Sequence, residues 1–310
     1  MRNEKEVNKM EIASVADSLI MPTGEKIKHV VGFSGGIDSQ ACARWVLNRC
    51  DPADVVLINS DVGGHEHPIT TEFIQWYSEN VHPVSVVTPI VADLGGRGTR
   101  PGATKDRRDK YGDTDPLTFD VLAEIKGMFP SRKMQFCTEH LKLAPARRWQ
   151  DENIGKEYGI IRYCGVRRSE SQKRKNAKAW DYDDYFKCTL IQPLVDWSKE
   201  MCFDYVKSHG EKFNELYTLG FDRVGCAPCV NSGKADIRQW ALRFPEMIDK
   251  VRAWEQRTGL PFFRFAKNDG KTRFIDEVVD WSMTKFGGKQ LDLMVLQEPP
   301  ACESKYGLCE

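Results

Sequence analysis

The chain lacks any apolar run of about 18 residues or more, so it offers no segment for a membrane-spanning helix. Its first residues, MRNEKEVNKMEIASV, carry charge where a secretory leader carries an apolar stretch, and no export signal is expected. It lacks net charge: 45 Lys and Arg stand against 45 Asp and Glu. A bulk electrostatic pull toward nucleic acid is therefore not indicated, although local basic patches remain. It lacks a G-x-x-x-x-G-K-[ST] phosphate loop and a G-x-G-x-x-G dinucleotide fingerprint. It has no internal repeat and no low-complexity tract. These absences leave a cytoplasmic protein with no membrane partner. Its 310 residues, 41% of them hydrophobic, suffice for one large or two unequal domains.

Cysteine is not scarce. Ten cysteines in a chain without an export signal are not expected to form a disulfide framework. Cys42, Cys50, Cys164, Cys188 and Cys202 fall on helical or strand patterns and read as core. Cys226 and Cys229 have the C-x-x-C spacing that suits a metal or a redox pair, and Ala227-Pro228 between them reads as a tight turn. Cys302 and Cys309 stand close together in the tail.

Apolar runs at 28–33, 54–59, 84–90 and 160–165 read as strands. Helical patterns at 38–49, 70–81, 117–128, 138–150 and 198–208 alternate with them. The alternation predicts an α/β fold with a doubly wound parallel sheet and a smaller, mostly helical C-terminal region. Residues 93–116, rich in glycine and charge, read as a lid or binding loop. The divisions expected are an N-terminal arm at 1–27, a nucleotide-binding domain at 28–209 and a helical, cysteine-bearing region at 210–310.

The first strand runs into Ser34-Gly35-Gly36-Ile37-Asp38-Ser39, and a helix follows at once. A strand-to-helix turn presents backbone N–H groups, and the helix dipole adds positive potential, so the turn favours an anion. Gly35 and Gly36 permit positive φ and close approach of a phosphate. The hydroxyls of Ser34 and Ser39 can donate to phosphate oxygens. Asp38 can cap the helix or position a cation.

Ser34–Ser39 resembles the S-G-G-x-D-S pyrophosphate loop of the N-type ATP pyrophosphatases, the PP-loop or adenine nucleotide alpha hydrolase-like superfamily. Further segments resemble its PAPS reductase family, in the family's order, over about residues 28–230. Asp61-Val62-Gly63 resembles its D-T-G segment, with Val in place of Thr. Cys137-Thr138-Glu139-His140-Leu141-Lys142 resembles C-x-x-x-x-K. Gly165-Val166-Arg167-Arg168-Ser169-Glu170-Ser171 with Arg174 resembles G-[IV]-R-x-x-E-S-x-x-R. Ile191–Trp197 resembles N-P-L-x-D-W, and Gly225-Cys226-Ala227-Pro228-Cys229 resembles G-C-x-x-C.

The resemblance implies ATP and Mg2+ as ligands. It implies that Ser34, Gly35, Gly36, Asp38, Ser39, Asp61, Lys142 and Gly165 bind the nucleotide, and that Asp38, Arg167, Arg168 and Arg174 act in catalysis. Arginine forks match phosphate or sulfate oxygens bidentately. It also implies a [4Fe–4S] cluster on Cys137, Cys226, Cys229 and Cys309, with Cys302 the alternative fourth ligand and zinc the alternative metal. His65 and His67, flanking Glu66, read as a solvated loop rather than as metal ligands.

Two activities share this family resemblance. Sulfonucleotide reductases attack an already activated sulfate, with a cysteine in a C-terminal E-C-G-[IL]-H, and their cluster-bearing forms carry a Cys-Cys pair. This chain has Phe136-Cys137, ends Tyr306-Gly307-Leu308-Cys309-Glu310, and keeps Ser34–Ser39 intact. Those differences favour an ATP-dependent sulfur transferase, similar to DNA phosphorothioation and tRNA thiolation enzymes. It would adenylylate an acceptor, release pyrophosphate and insert sulfur. The acceptor expected is DNA or RNA, through basic segments at 97–110 and 162–178, or else a small molecule. A cysteine desulfurase or another sulfur donor is the expected partner, and a homo-oligomer is compatible. A nucleotide-binding module without turnover is a third reading.

Overall fold

The computed structural model describes residues 26–95, 103–131, 133–263 and 273–284. Most of the expected N-terminal arm, part of the 93–116 loop, Cys302 and Cys309 lie outside the described residues.

Six strands form one sheet: β1 (Lys26–Gly32), β2 (Val55–Ser60), β3 (Val84–Val87), β4 (Tyr158–Tyr163), β5 (Trp180–Asp183) and β6 (Cys188–Ile191). Their order is β3-β2-β1-β4-β6-β5. All neighbours pair parallel except β5, which lies antiparallel on β6. The predicted α/β sheet is thus present, with one antiparallel edge. The pair β5–β6 was absent from the sequence reading, because four-residue strands beside a charged run leave little alternation to detect.

The sheet is buried on both faces, as a parallel sheet must be. On one face, Val31, Leu57, Tyr163 and Ile191 pack with α1 (Ile37–Leu47), α2 (Pro68–Asn80) and the later helix at Lys199–Ser208. On the other, Val30, Ile58, Cys164 and Leu190 meet Leu143 and Ala146. Cys42, Cys50, Cys164, Cys188 and Cys202 are buried, as their patterns predicted. A third cluster joins α4 (Phe119–Lys126) to Trp240, Ile248, Val251 and Val278 of the C-terminal helices. The expected 93–116 loop contains the short helix α3 (Ala103–Arg108).

Beyond α4 the chain forms a helical turn at Phe136–Thr138, a π-helical turn at Glu139–Leu143 and α5 (Ala144–Asn153). The later helices are α6 (Lys199–Ser208), α7 (Lys234–Arg243), α8 (Pro245–Thr258) and α9 (Ile275–Met283). Ser198 begins α6 as its side chain accepts the Met201 N–H, which stops the helix one residue short of the predicted start. No helix among the described residues is long and apolar enough to cross a membrane.

The strand order reverses between β1 and β4. That switch point brings the exits of both strands side by side, at the edge where open α/β sheets bind ligands.

Candidate active site

The turn after β1 is closed by its own hydroxyls. Ser34 N–H donates to Ser39 Oγ at 3.2 Å, and Ser34 Oγ lies 3.1 Å from the same atom. Ser39 Oγ donates to the Gly36 carbonyl at 2.9 Å. Gly35 holds φ at +79°, in the left-handed region that glycine enters without strain. A Cβ there would also meet Thr70 Cγ2 at 3.1 Å. Gly36 is the N-cap of α1 and has no side chain to offer the first N–H groups of the helix. Two residues absent from the sequence reading brace this turn. The Ile37 N–H donates to Tyr217 Oη at 3.0 Å. Asn214 Nδ2 donates to Thr70 Oγ1 at 3.1 Å and reaches the Gly35 carbonyl at 3.5 Å. Both lie far along the chain with no motif around them.

Asp38 does not cap the helix. Its Oδ2 accepts from Arg167 Nε at 2.7 Å, with both side chains nearly out of solvent. Arg167 follows β4, so the pair spans the switch point. Such a pair fixes an arginine fork beside the glycine turn. Gly165 packs against the start of α1, where a Cβ would fall 2.4 Å from the Asp38 carbonyl oxygen. Its absent side chain lets the two strand exits touch.

The other arginines are held by partners of their own. Arg168 pairs with Asp196 and donates Nε to the Ala177 carbonyl at 2.8 Å. Arg174 is 4% exposed and pairs with Glu170, whose carboxyl burial pushes upward. Arg168 and Arg174 sit in two 3-10 turns, Arg168–Glu170 and Gln172–Arg174, rather than on a helix face.

The segment after β2 carries Asp61, whose Oδ1 accepts the Gly64 N–H at 2.8 Å. Gly63 has φ +67°, and a Cβ there would lie 2.7 Å from the Phe119 nitrogen, so this loop is pressed onto the start of α4. Glu66 is half-buried and forms an antiparallel bridge with Cys226. Burial pushes its carboxyl up to about 8, opposed by nearby Lys142. Lys142 itself is buried on the π-helical turn.

The solvated loop expected at His65 and His67 is not what forms. His65 is 0% exposed and His67 is 3% exposed. Aromatic rings from α4 and the C-terminal helices surround both, and those partners are remote in sequence. Burial lowers the His65 imidazole to about 3, so it stays neutral.

Cys137, Cys226 and Cys229 lie within electrostatic reach of one another. Burial pushes the Cys137 thiol up to about 12, and Cys226 and Cys229 add to the shift. Burial likewise raises Cys226 to about 11, which Lys142 opposes. Burial and the neighbouring thiols oppose ionisation of Cys137 and Cys226, and Lys142 favours it. Soft sulfur donors beside a lysine suit a thiophilic metal, provided binding displaces the protons. Among the described residues, no group of three or more His, Cys, Asp or Glu side chains stands ready to hold a metal ion. The expected fourth ligand, Cys309 or Cys302, lies outside the described residues.

A cavity of about 720 Å³ opens beside Asp61 and Glu66 and runs between α2 and β3. Glu72 and Glu79 stand on its walls, with Val84 and Val86 along one side.

Residues 121–232 match the family model described as the phosphoadenosine phosphosulfate reductase domain. An uncharacterized 37.8 kDa protein of Escherichia phage 186 is 29% identical, over 92% of this chain and 98% of its own length. The adenosine 5'-phosphosulfate reductase of Staphylococcus saprophyticus is 28% identical over 39% of this chain and 59% of that protein. The chain thus spans little more than half of that reductase. Among solved structures, the phosphoadenylyl-sulfate reductase of Candida auris, in a phosphate complex, aligns with TM-score 0.44 and 18% identity. It covers 70% of this chain and 87% of that one.

Proposed function

We propose that this chain, whose residues 121–232 match the phosphoadenosine phosphosulfate reductase domain, is an ATP-dependent sulfur transferase of the PP-loop superfamily. The observation that carries this reading is the complete Ser34–Ser39 turn, with Arg167 fixed against Asp38 at its mouth. The backbone N–H groups of the turn and the hydroxyls of Ser34 and Ser39 are the donors for the β- and γ-phosphates, and the carboxylates of Asp38 and Asp61 would hold Mg2+, which would offset the phosphate charge. An oxygen of the acceptor attacks the α-phosphorus, the bond to the bridging oxygen breaks and pyrophosphate leaves. Its proton passes to solvent. Arg167 stabilises charge on the transferring group, where a preorganised cation acts most strongly. The outer sulfur of a persulfide formed by a cysteine desulfurase then bonds to the acceptor as AMP leaves, and a thiol reductant cleaves the resulting S–S bond, releasing the thiolated acceptor and leaving a disulfide.

Cys137, Cys226 and Cys229, with Cys309 or Cys302, would hold a [4Fe–4S] cluster, or zinc in its place. When bound, that group gives incoming sulfur a thiophilic site. Lys142 favours the thiolate forms that it requires. The carboxylates along the α2–β3 cavity repel a phosphate backbone. A nucleic-acid acceptor therefore approaches from the Arg167–Lys178 flank, whereas a small acceptor enters beside Asp61.

The reductases among the relatives support a second reading, sulfonucleotide reduction. The two separate in one experiment. The purified protein is given adenylylsulfate or PAPS with reduced thioredoxin, and separately ATP with Mg2+, DNA or RNA, cysteine and a cysteine desulfurase. Pyrophosphate and AMP from the second mixture, without sulfite from the first, support the transferase. Sulfite from the first, with ATP intact in the second, supports the reductase.

A further inference from the structure

The segment between β2 and α2 touches both halves of the site, and His65 is its fully buried member. The imidazole lies 4.6 Å from the Phe119 ring, 4.7 Å from Trp254 and 5.8 Å from Phe262, between ring centroids. Two hydrogen bonds leave His65 for the cysteine loop. Its carbonyl accepts the Ala227 N–H at 2.9 Å. Its ring Nε2–H donates to the Pro228 carbonyl at 2.8 Å. The next residue, Glu66, bridges to Cys226. Cys226 and Cys229 therefore bracket the two residues that His65 holds.

The loop's own bonds secure its far side. Cys229 N–H donates to Ser232 Oγ at 3.1 Å, Asn231 N–H donates to Cys229 Sγ at 3.4 Å, and Ser232 N–H donates to the Cys229 carbonyl at 2.9 Å. The near side depends on His65. At the other end of the same segment, His67 Nδ1 accepts the Ile69 N–H at the start of α2. Thr70 of α2 is the residue that Asn214 joins to the glycine turn.

We propose that His65 is a positioning residue for the Cys226–Cys229 pair. It sets the direction of the two thiols by gripping the turn between them, and registers them against the phosphate-binding turn through α2. The inference rests on reading these cysteines as functional thiols, as in the proposed function. Metal ligands are commonly oriented by such outer hydrogen bonds.

The test uses three variants of the full chain. His65→Phe keeps the ring within its aromatic surroundings and removes the donor. His65→Gln returns an N–H near the Nε2 position, and His65→Asn does not. In metal-free protein, alkylation of Cys226 and Cys229 by iodoacetamide is followed by mass spectrometry, with the unfolding midpoint alongside. Folded His65→Phe should alkylate about tenfold faster, and zinc or iron loaded onto it should be lost to a chelator about 10–100-fold faster. His65→Gln should return both rates toward those of the natural chain. A folded His65→Phe with unaltered rates overturns the proposal. If His65→Phe does not fold, His65→Gln and His65→Asn decide: slow alkylation in the first and fast in the second supports it, and equal rates overturn it. Should the natural chain hold no metal, the metal-centre reading fails, while the metal-free alkylation comparison still decides the role of His65.

Discussion

At the glycine turn, six consecutive residues carry most of the geometry, and two serine hydroxyls close it from within. At the cysteine loop, Cys226 and Cys229 meet the remote Cys137, and a histidine from a third part of the chain bonds to the turn between Cys226 and Cys229. The first region is a local device on a rigid strand exit. The second is an assembly that shares the core between α4 and the C-terminal helices. Substitutions at the turn should therefore strike stability and nucleotide binding together. Substitutions at the cysteine loop should change thiol chemistry while the sheet survives.

The largest effect expected is at Asp38. Asp38→Ala leaves Arg167 buried without the carboxylate that accepts its Nε, at a cost of about 3–5 kcal/mol, and should abolish ATP turnover. Chemical denaturation and pyrophosphate release check both; unaltered turnover would remove Asp38 from the site. Gly165→Ala comes next. Its Cβ falls on the Asp38 carbonyl, and backbone on both sides cannot yield cheaply, so about 1–3 kcal/mol is lost along with ATP affinity. A variant with unaltered midpoint would mean that the strand exits separate freely.

A pH series probes the other region. His65 stays neutral in the folded protein to about pH 3, whereas in the unfolded chain it protonates near 6.5. Its contribution is fully present above 6.5 and is lost as pH falls toward 3. Between pH 7 and 5 that loss is about 2 kcal/mol, and His65→Phe should lose correspondingly less on the same acidification. Equal urea-midpoint shifts in both proteins would contradict the buried neutral imidazole. The smallest effect belongs to the surface. Breaking the partly exposed Lys28–Asp54 pair with Asp54→Ala should cost no more than about 1 kcal/mol and leave both regions working.

The same contrast explains what the sequence revealed. Ser34–Ser39 was legible because its chemistry is contiguous and strand and helix periods flank it. The core cysteines were legible because their burial follows those periods. Tyr217, Asn214 and His65 were not, since each acts through one or two bonds to residues remote in sequence. Arg168 and Arg174 show the converse. Their motif was plain, but not that Asp196 and Glu170 would pair with their side chains. A motif reports which residue types are present, and packing decides where each charge is spent.

The central claim is that this turn still holds ATP for cleavage between the α- and β-phosphates. The direct measurement follows the products of ATP, Mg2+, cysteine, a cysteine desulfurase and nucleic acid by phosphorus NMR, beside a thioredoxin-coupled assay on adenylylsulfate and PAPS. The account predicts AMP and pyrophosphate in the first, lost in Asp38→Ala, and no sulfite in the second. Intact ATP together with thioredoxin-dependent sulfite would contradict it.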